Sequence, residues 1–172
     1  MSASSAAAKI QANLQELFQG KSTSGTPHIK FQLTPEIVAL LSMERVQETL
    51  IVDAGQITLL PSMPTSALGI VNSRDRVFCV FDLAQLLDFP VRFTTPRQYQ
   101  VIVLQTTGSS PIQIGFTVDN LQGIVRLTPE QIRSASDAIP DNIKSYTFGE
   151  VFTEQEIMPI LSFEHIVDSI AA

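Results

Sequence analysis

From His28 onward, apolar residues recur at every second position in short runs broken by turn-forming residues. His28-Ile-Lys-Phe-Gln-Leu33 places Ile29, Phe31 and Leu33 on one face, and Ile112, Ile114, Phe116 and Val118 alternate with Gln113, Gly115 and Thr117. A period of two cannot be satisfied by a helix, whose faces repeat every 3.6 residues. The same reading predicts strands at 38–41, 46–52, 56–60, 68–72, 76–81, 101–105, 121–127, 146–152 and 158–161. The turns between them carry Asp53-Ala-Gly55, Ser73-Arg-Asp75, Gly108-Ser-Ser-Pro111 and Asp119-Asn120. Many short strands at this spacing predict an all-β chain folded as a sandwich or as barrels.

Helical patterning is confined to short stretches. In residues 6–20, Ile10, Leu14, Leu17 and Phe18 share one face of a 3.6-residue period, and Gly20 stands where a C-terminal cap belongs. Residues 1–20 thus read as an N-terminal amphipathic helix. Residues 21–27, Lys-Ser-Thr-Ser-Gly-Thr-Pro, read as a linker. A helix of about four turns is marginal alone in water, so its stripe needs a cover. That cover is either its own domain or another protein. Asp82 can cap a helix over Leu83 to Asp88, and Ser162 one in which Phe163, Ile166, Val167 and Ile170 align. Thr128-Pro-Glu130 reads as the start of one helical turn, whereas the same tripeptide at Thr34 sits between close strands and reads as a hairpin turn. Residues 88–98 hold two prolines and predict an internal boundary between two strand-rich halves of a domain spanning 28–172.

Composition narrows the function. The chain has 172 residues, 44% of them hydrophobic and 16% charged, which suits a packed core and excludes wholesale disorder. A net charge of −6 without a Lys/Arg cluster argues against nucleic acid and against an anionic membrane surface as partners. The two uncharged windows, 54–73 and 98–118, are broken by proline and polar residues, so direct membrane insertion is not expected. No signal-peptide pattern opens the chain, and the lone Cys79 allows no intrachain disulfide, so a cytoplasmic location is expected. The apolar excess must go into strands buried on both faces or into partner surfaces.

No catalytic constellation emerges. His28 opens a strand on its polar face and His165 lies in the first turn of the last helix, so both read as solvated surface histidines. Cys79, inside Val77-Phe-Cys-Val-Phe81, reads as a small core residue. Asp53, Asp82, Asp119 and Asp141 sit at turns or caps, where Asp bonds local backbone. No acid/base dyad, phosphate loop, metal-ligand cluster or nucleophile elbow is present, so no enzyme activity, metal or cofactor is predicted.

One ordered set of motifs is specific. Val46-Gln-Glu48 is followed by Leu60-Pro61 and Pro64, then by Gly69-Ile-Val-Asn72-Ser-Arg74 with Arg76-Val77, then by Val80-Phe-Asp-Leu83. Further on come Val101-Ile-Val-Leu104, Gly115-Phe-Thr-Val-Asp119 and Leu127-Thr-Pro-Glu-Gln-Ile-Arg133. From about Ile29 to Val167 the chain resembles the CheW-like domain of bacterial chemotaxis coupling proteins. Three positions depart from that pattern: Asp75 replaces a glycine, Ser73 a leucine and Cys79 a proline. Asp tolerates the positive φ that glycine supplies at such a turn, so the turn is expected to survive with an added negative charge.

The resemblance implies a pair of small five-stranded SH3-like β-barrels with short helices. It implies a non-enzymatic adaptor that bridges a methyl-accepting-type receptor tip and the regulatory domain of a CheA-like histidine kinase, recruited to membrane receptor arrays. The N-terminal extension is similar to that of members in phototaxis or twitching-motility systems. It further implies partner-binding roles for Val46, Glu48, Gly69, Asn72, Arg74, Asp75 and Val101. The stripe of Ile10, Leu14, Leu17 and Phe18 lies outside the family domain and is a candidate docking element on its own patterning. Glu48 and Arg74 look like a conformation-setting couple near the receptor-facing groove. Independently of the resemblance, Val46, Glu48 and Leu50 share a strand face, so Glu48 sits among apolar neighbours and wants a cation. The alternative reading is a small-ligand-binding β-barrel, which the short predicted strands disfavour.

Overall fold

The computed structural model describes residues 25–92, 94–153 and 155–171. The segment 1–24, and with it the expected helix bearing Ile10, Leu14, Leu17 and Phe18, lies outside them. Eleven strands follow in chain order: β1 (Thr26–Thr34), β2 (Ile37–Ser42), β3 (Val46–Asp53), β4 (Ala67–Ser73), β5 (Arg76–Asp82), β6 (Gln98–Gln105), β7 (Gln113–Val118), β8 (Asn120–Leu127), β9 (Ile132–Arg133), β10 (Thr147–Phe152) and β11 (Ile157–Leu161). Among the described residues three short helices accompany them: α1 (Leu83–Leu86), α2 (Asp141–Lys144) and α3 (Phe163–Ala171). The fold is mainly β, as expected.

The strands form two curled sheets. One has five strands in the order β3-β6-β7-β5-β4, the other six in the order β8-β1-β2-β11-β10-β9, its outermost strand only two residues long. Most pairs are antiparallel, but β5 runs parallel to β7 and β11 parallel to β2. The halves in space are therefore not the halves in sequence. Residues 88–98, expected to divide the chain, connect β5 to β6, which belong to the same sheet. The chain changes sheet instead at Met43–Arg45, between β2 and β3, and at Asp119, between β7 and β8. Proline-rich composition marked a surface connector, not a sheet boundary. Arg92 pairs with Asp119 and so ties that connector to the end of β7.

The apolar excess is used on both faces of the central strands. Ala39 and Leu41 of β2 face a shared core, where they join Phe31, Leu33, Ile102, Leu104 and Phe116 from the two sheets, with Leu83, Ile143 and Ile166 from the helices. Val38 and Leu40, on the other face of β2, pack with Leu127, Val151, Met158 and Ile160 inside the curl of the six-stranded sheet. Val101 and Val103 of β6 do the same in the five-stranded sheet, with Val52, Val71, Phe78 and Val80. These residues fill the two curls with side chains. Most strands also run longer than expected, up to nine residues in β1.

Local signals held at most ends. Asp82 Oδ1 accepts from the Gln85 backbone N–H at 3.3 Å, capping α1. Thr128 and Gln131 form a capping box around the single turn Pro129–Gln131. Ser162 Oγ accepts from the His165 N–H at 3.4 Å at the start of α3. The strand expected at 56–60 is replaced by a helical turn, Ala54–Gln56, followed by one isolated bridge between Thr58 and Ile70. Gln56 Oε1 accepts from the Asp53 N–H at 2.9 Å, which holds the chain in the turn before it can pair.

Candidate functional site

Sequence phase puts Glu48 on the inward face of β3 with Val46, Leu50 and Val52. Its carboxylate meets two arginines: Arg74 Nη1 lies 3.6 Å from Oε2, and Arg76 Nη1 lies 3.7 Å from Oε1. Glu48 is 19% exposed at its side chain, Arg74 77% and Arg76 47%. The contact has a topological meaning. β3 and β4 are opposite edges of the five-stranded sheet and share no backbone ladder. The β4–β5 turn reaches Glu48 only because the sheet curls round on itself, so the ion cluster sits at the seam of that curl.

The turn that carries Arg74 is a two-residue hairpin loop in which both central residues have positive φ, 51° at Arg74 and 64° at Asp75. That is the geometry whose twist matches antiparallel strands. Asp75 occupies it without glycine, as the sequence anticipated.

Beside Glu48 lies a groove of about 360 Å³ where β3 meets β1 and β8 of the other sheet. Ile29, Met43, Val46, Leu121 and Ile124 line it, and Ile124 is 60% exposed. An exposed β-branched side chain over an apolar groove, with the Glu48 carboxylate in its lining and that carboxylate paired to two arginines, suits an amphipathic protein surface.

The structure thus joins Glu48, Arg74 and Val46 in one place, with Asp75 and Asn72 exposed on the same hairpin. Two expected partner contacts are corrected. Val101 is fully buried in the curl of the five-stranded sheet, and Gly69 is buried against the Thr58 backbone. Neither presents a side chain to a partner. Sequence reasoning missed Arg76, whose only signal was its place just after the turn, and missed Ile124, which lies in a strand far away in sequence.

His28 is also corrected. It is 6% exposed, and Nδ1 donates to the Thr26 carbonyl at 2.9 Å. β1 is flanked by β8 and β2, so the end of its polar face lies in a recess instead of in solvent. His165 is exposed, and Cys79 is partly buried against the shared core. Among the described residues, no group of three His, Cys, Asp or Glu side chains is placed to hold a metal, and no helix is long and apolar enough to cross a membrane.

The family model for the CheW-like domain matches residues 28–171. The chain belongs to the CheW-like family. It is similar to the chemotaxis protein CheW of Thermotoga maritima, 25% identical over 121 residues that span 70% of this chain and 76% of that protein. The crystal structure of the scaffolding protein TtCheW from Thermoanaerobacter tengcongensis is 18% identical and matches with a TM-score of 0.69, over 83% of this chain and 92% of that one. That likeness establishes the shared two-sheet CheW-like fold.

The exposure of the arginines sets the size of the Glu48 cluster. A solvated ion pair is worth at most about 1 kcal/mol. With Arg76 in place, Arg74→Ala does not strand the carboxylate, contrary to the larger loss that a lone buried pair would bring. We expect Arg74→Ala to cost under about 1 kcal/mol and Arg74→Ala with Arg76→Ala to cost more than the sum of the two. Urea titration of the three variants measures this, and strict additivity would show that neither arginine covers for the loss of the other.

Proposed function

We propose that this CheW-like chain is a non-enzymatic adaptor that couples a methyl-accepting-type receptor tip to the regulatory domain of a CheA-like histidine kinase. The observation that carries the reading is the CheW-like match over residues 28–171, with Glu48 held between Arg74 and Arg76 beside an apolar groove. The receptor tip lies in that groove, its apolar side chains against Ile29, Leu121 and Ile124, while the ion cluster fixes its register. Charged rims give specificity more than affinity, which is what a coupling element requires. The adaptor works in the cytoplasm and is recruited to receptor arrays of a taxis or motility pathway, of the phototaxis or twitching kind. The names of its relatives, a chemotaxis protein and a scaffolding protein, support this reading.

Titration calorimetry of the full chain against the regulatory domain of the kinase encoded beside it tests the coupling. Binding at about micromolar Kd, near −8 kcal/mol, is expected. Glu48→Lys should weaken receptor-tip binding and leave kinase binding unchanged. Absence of kinase binding, or equal loss of both partners in Glu48→Lys, would overturn the assignment.

A further inference from the structure

One open end of the five-stranded curl holds a recess of about 230 Å³ that shares no residue with the Glu48 groove. Strand register builds it. Thr117 of β7 pairs with Asp82 of the parallel β5 and with Val101 of the antiparallel β6. Directly paired residues share a face, and Val101 lies inside the curl, so Thr117 and Asp82 stand on that inner face too. The period of two then brings in Tyr99, two residues before Val101, and Asp119, two residues after Thr117. All four line the recess, with Leu68 and Val91 as apolar wall.

Three of these groups have bonding capacity to spare. Thr117 is 6% exposed, yet among the described residues its hydroxyl makes no hydrogen bond, so a buried polar group opens on the recess without a partner. Buried polar groups are ordinarily satisfied, and this one calls for a partner from outside the chain. Asp82 is held only by long bonds from its own helix, 3.3 Å from the Gln85 backbone N–H and 3.2 Å from Gln85 Nε2. Asp119 pairs with Arg92, and one guanidinium against two carboxylates leaves the recess net negative. Burial pushes the Asp119 carboxyl above its ordinary range, Arg92 pulls it down, and Asp82 adds to the rise. Burial and then Asp82 push the Tyr99 phenol up as well. The Asp82 part of both effects reflects negative charge that Arg92 does not cancel. Among the described residues no three carboxylate, histidine or cysteine groups converge, so the recess does not suit a metal ion. An alkylammonium ion suits it. Three N–H donors match the two carboxylates and the Thr117 hydroxyl, and an aliphatic tail matches Leu68, Val91 and the Tyr99 ring. The volume is below that of a site for drug-sized molecules, so the tail is short.

We propose that this mouth of the five-stranded curl binds a small free aliphatic amine as its ammonium ion, which donates to Asp82, Asp119 and the Thr117 hydroxyl. The inference stands on the recess and does not depend on the coupling role. The two tyrosines of the chain supply the readout, since Tyr99 lines the recess and Tyr146 packs against the shared core. Ring-proton NMR on the full chain, titrated with n-butylammonium chloride, should show the Tyr99 signal moving to a plateau with a Kd on the order of millimolar, and Tyr146 unmoved. Sodium chloride at equal ionic strength should leave Tyr99 in place, and so should tetramethylammonium, which has no N–H to donate. Thr117→Val keeps the shape of the side chain and removes a hydroxyl without a partner, so Tm should hold or rise while butylammonium binding weakens about tenfold. Asp119→Asn should weaken binding at least as much. A Tyr99 signal that drifts without a plateau, or that moves equally with sodium or tetramethylammonium, would overturn the proposal. Unchanged butylammonium affinity in Thr117→Val would do the same. Tighter binding of a blocked lysine amide than of butylammonium would reassign the recess to a lysine side chain of a partner protein and overturn the free amine as its occupant.

Discussion

Arg133→Ala is expected to destabilise the fold by about 3 kcal/mol, the lower part of the range for stripping the cation from a buried carboxylate. Glu150, on β10, is fully buried at its side chain. Arg133 Nε and Nη2 lie 3.2 and 3.0 Å from Glu150 Oε2, and the Ser136 backbone N–H donates to Oε1. Arg133 also stacks over Phe152 at 5.0 Å, so both the planar fork and the stacking are lost on truncation. The lower figure applies because Ser136 still serves the carboxylate and the Arg133 side chain is half exposed. Glu150→Gln should be milder, and Glu150→Gln with Arg133→Ala should cost less than the sum of the two. Urea midpoints at constant m would measure all three. A loss below about 0.5 kcal/mol for Arg133→Ala would mean that the pair does not hold the sheet edge.

The same carboxylate sets a pH dependence. Burial pushes the Glu150 carboxyl up, but hydrogen bonds from Ser136 and then the Arg133 guanidinium outweigh it and hold the group below its ordinary range. A carboxyl whose pKa is lower in the folded chain binds its proton less readily there than in the unfolded chain. Its contribution is present in full above the unfolded value of about 4.3 and is lost as pH falls through the folded one. The native chain should therefore lose stability steeply in that acid range. In Arg133→Ala the slope should be shallower, because the Arg133 part of that contribution is gone while the Ser136 part remains.

What the sequence made legible depended on the range of each interaction. The alternation in 28–33 placed β1 and its buried face correctly, because a strand's phase is a local property. Caps at Asp82 and Thr128 were equally local. The sorting of strands into sheets was not readable, because the parallel pairs β5–β7 and β2–β11 join segments separated by whole elements and leave no mark in either strand. Glu48 could be singled out because its phase put a carboxylate among Val46 and Leu50. Its second cation, Arg76, could not, since only the curl of the sheet brings the β4–β5 turn across to β3. Val101 was read from its motif as a contact, yet it belongs to a four-residue run, Val101 to Leu104, that is buried on both faces. Such a run carries no period to separate core from surface. Glu150 gave no signal at all: its partner Arg133 lies 17 residues upstream, and nothing in Phe148 to Phe152 shows which way the strand faces.

Gly69→Ala is expected to cost about 3 kcal/mol or more and to disable the Glu48 site at a distance. Gly69 has φ +142°, a region that a Cβ disfavours, and sits at the irregularity where β4 slips register against β5. A Cβ built there would lie 2.3 Å from the Thr58 carbonyl oxygen and 2.8 Å from its carbonyl carbon. Both are backbone atoms, and they cannot rotate away as a side chain can. Ile70 N donates to the Thr58 carbonyl at 2.8 Å, and Thr58 N donates back to Ile70 at 2.9 Å, so relief of the clash breaks this two-bond bridge. Strain at a special backbone position contributes about 1–3 kcal/mol, and loss of the bridge adds to it. Because β4 runs from Gly69 directly to the turn bearing Arg74 and Asp75, displacement of its start shifts the guanidinium groups off Glu48. Receptor-tip binding should fall further than the lost stability alone explains. Gly55 is the control: a Cβ there meets nothing within 4 Å, so Gly55→Ala should be near neutral in both measurements. A Gly69→Ala protein within about 1 kcal/mol of the native chain in urea would show that β4 can move away from Thr58, and that the glycine is not what holds the hairpin in place.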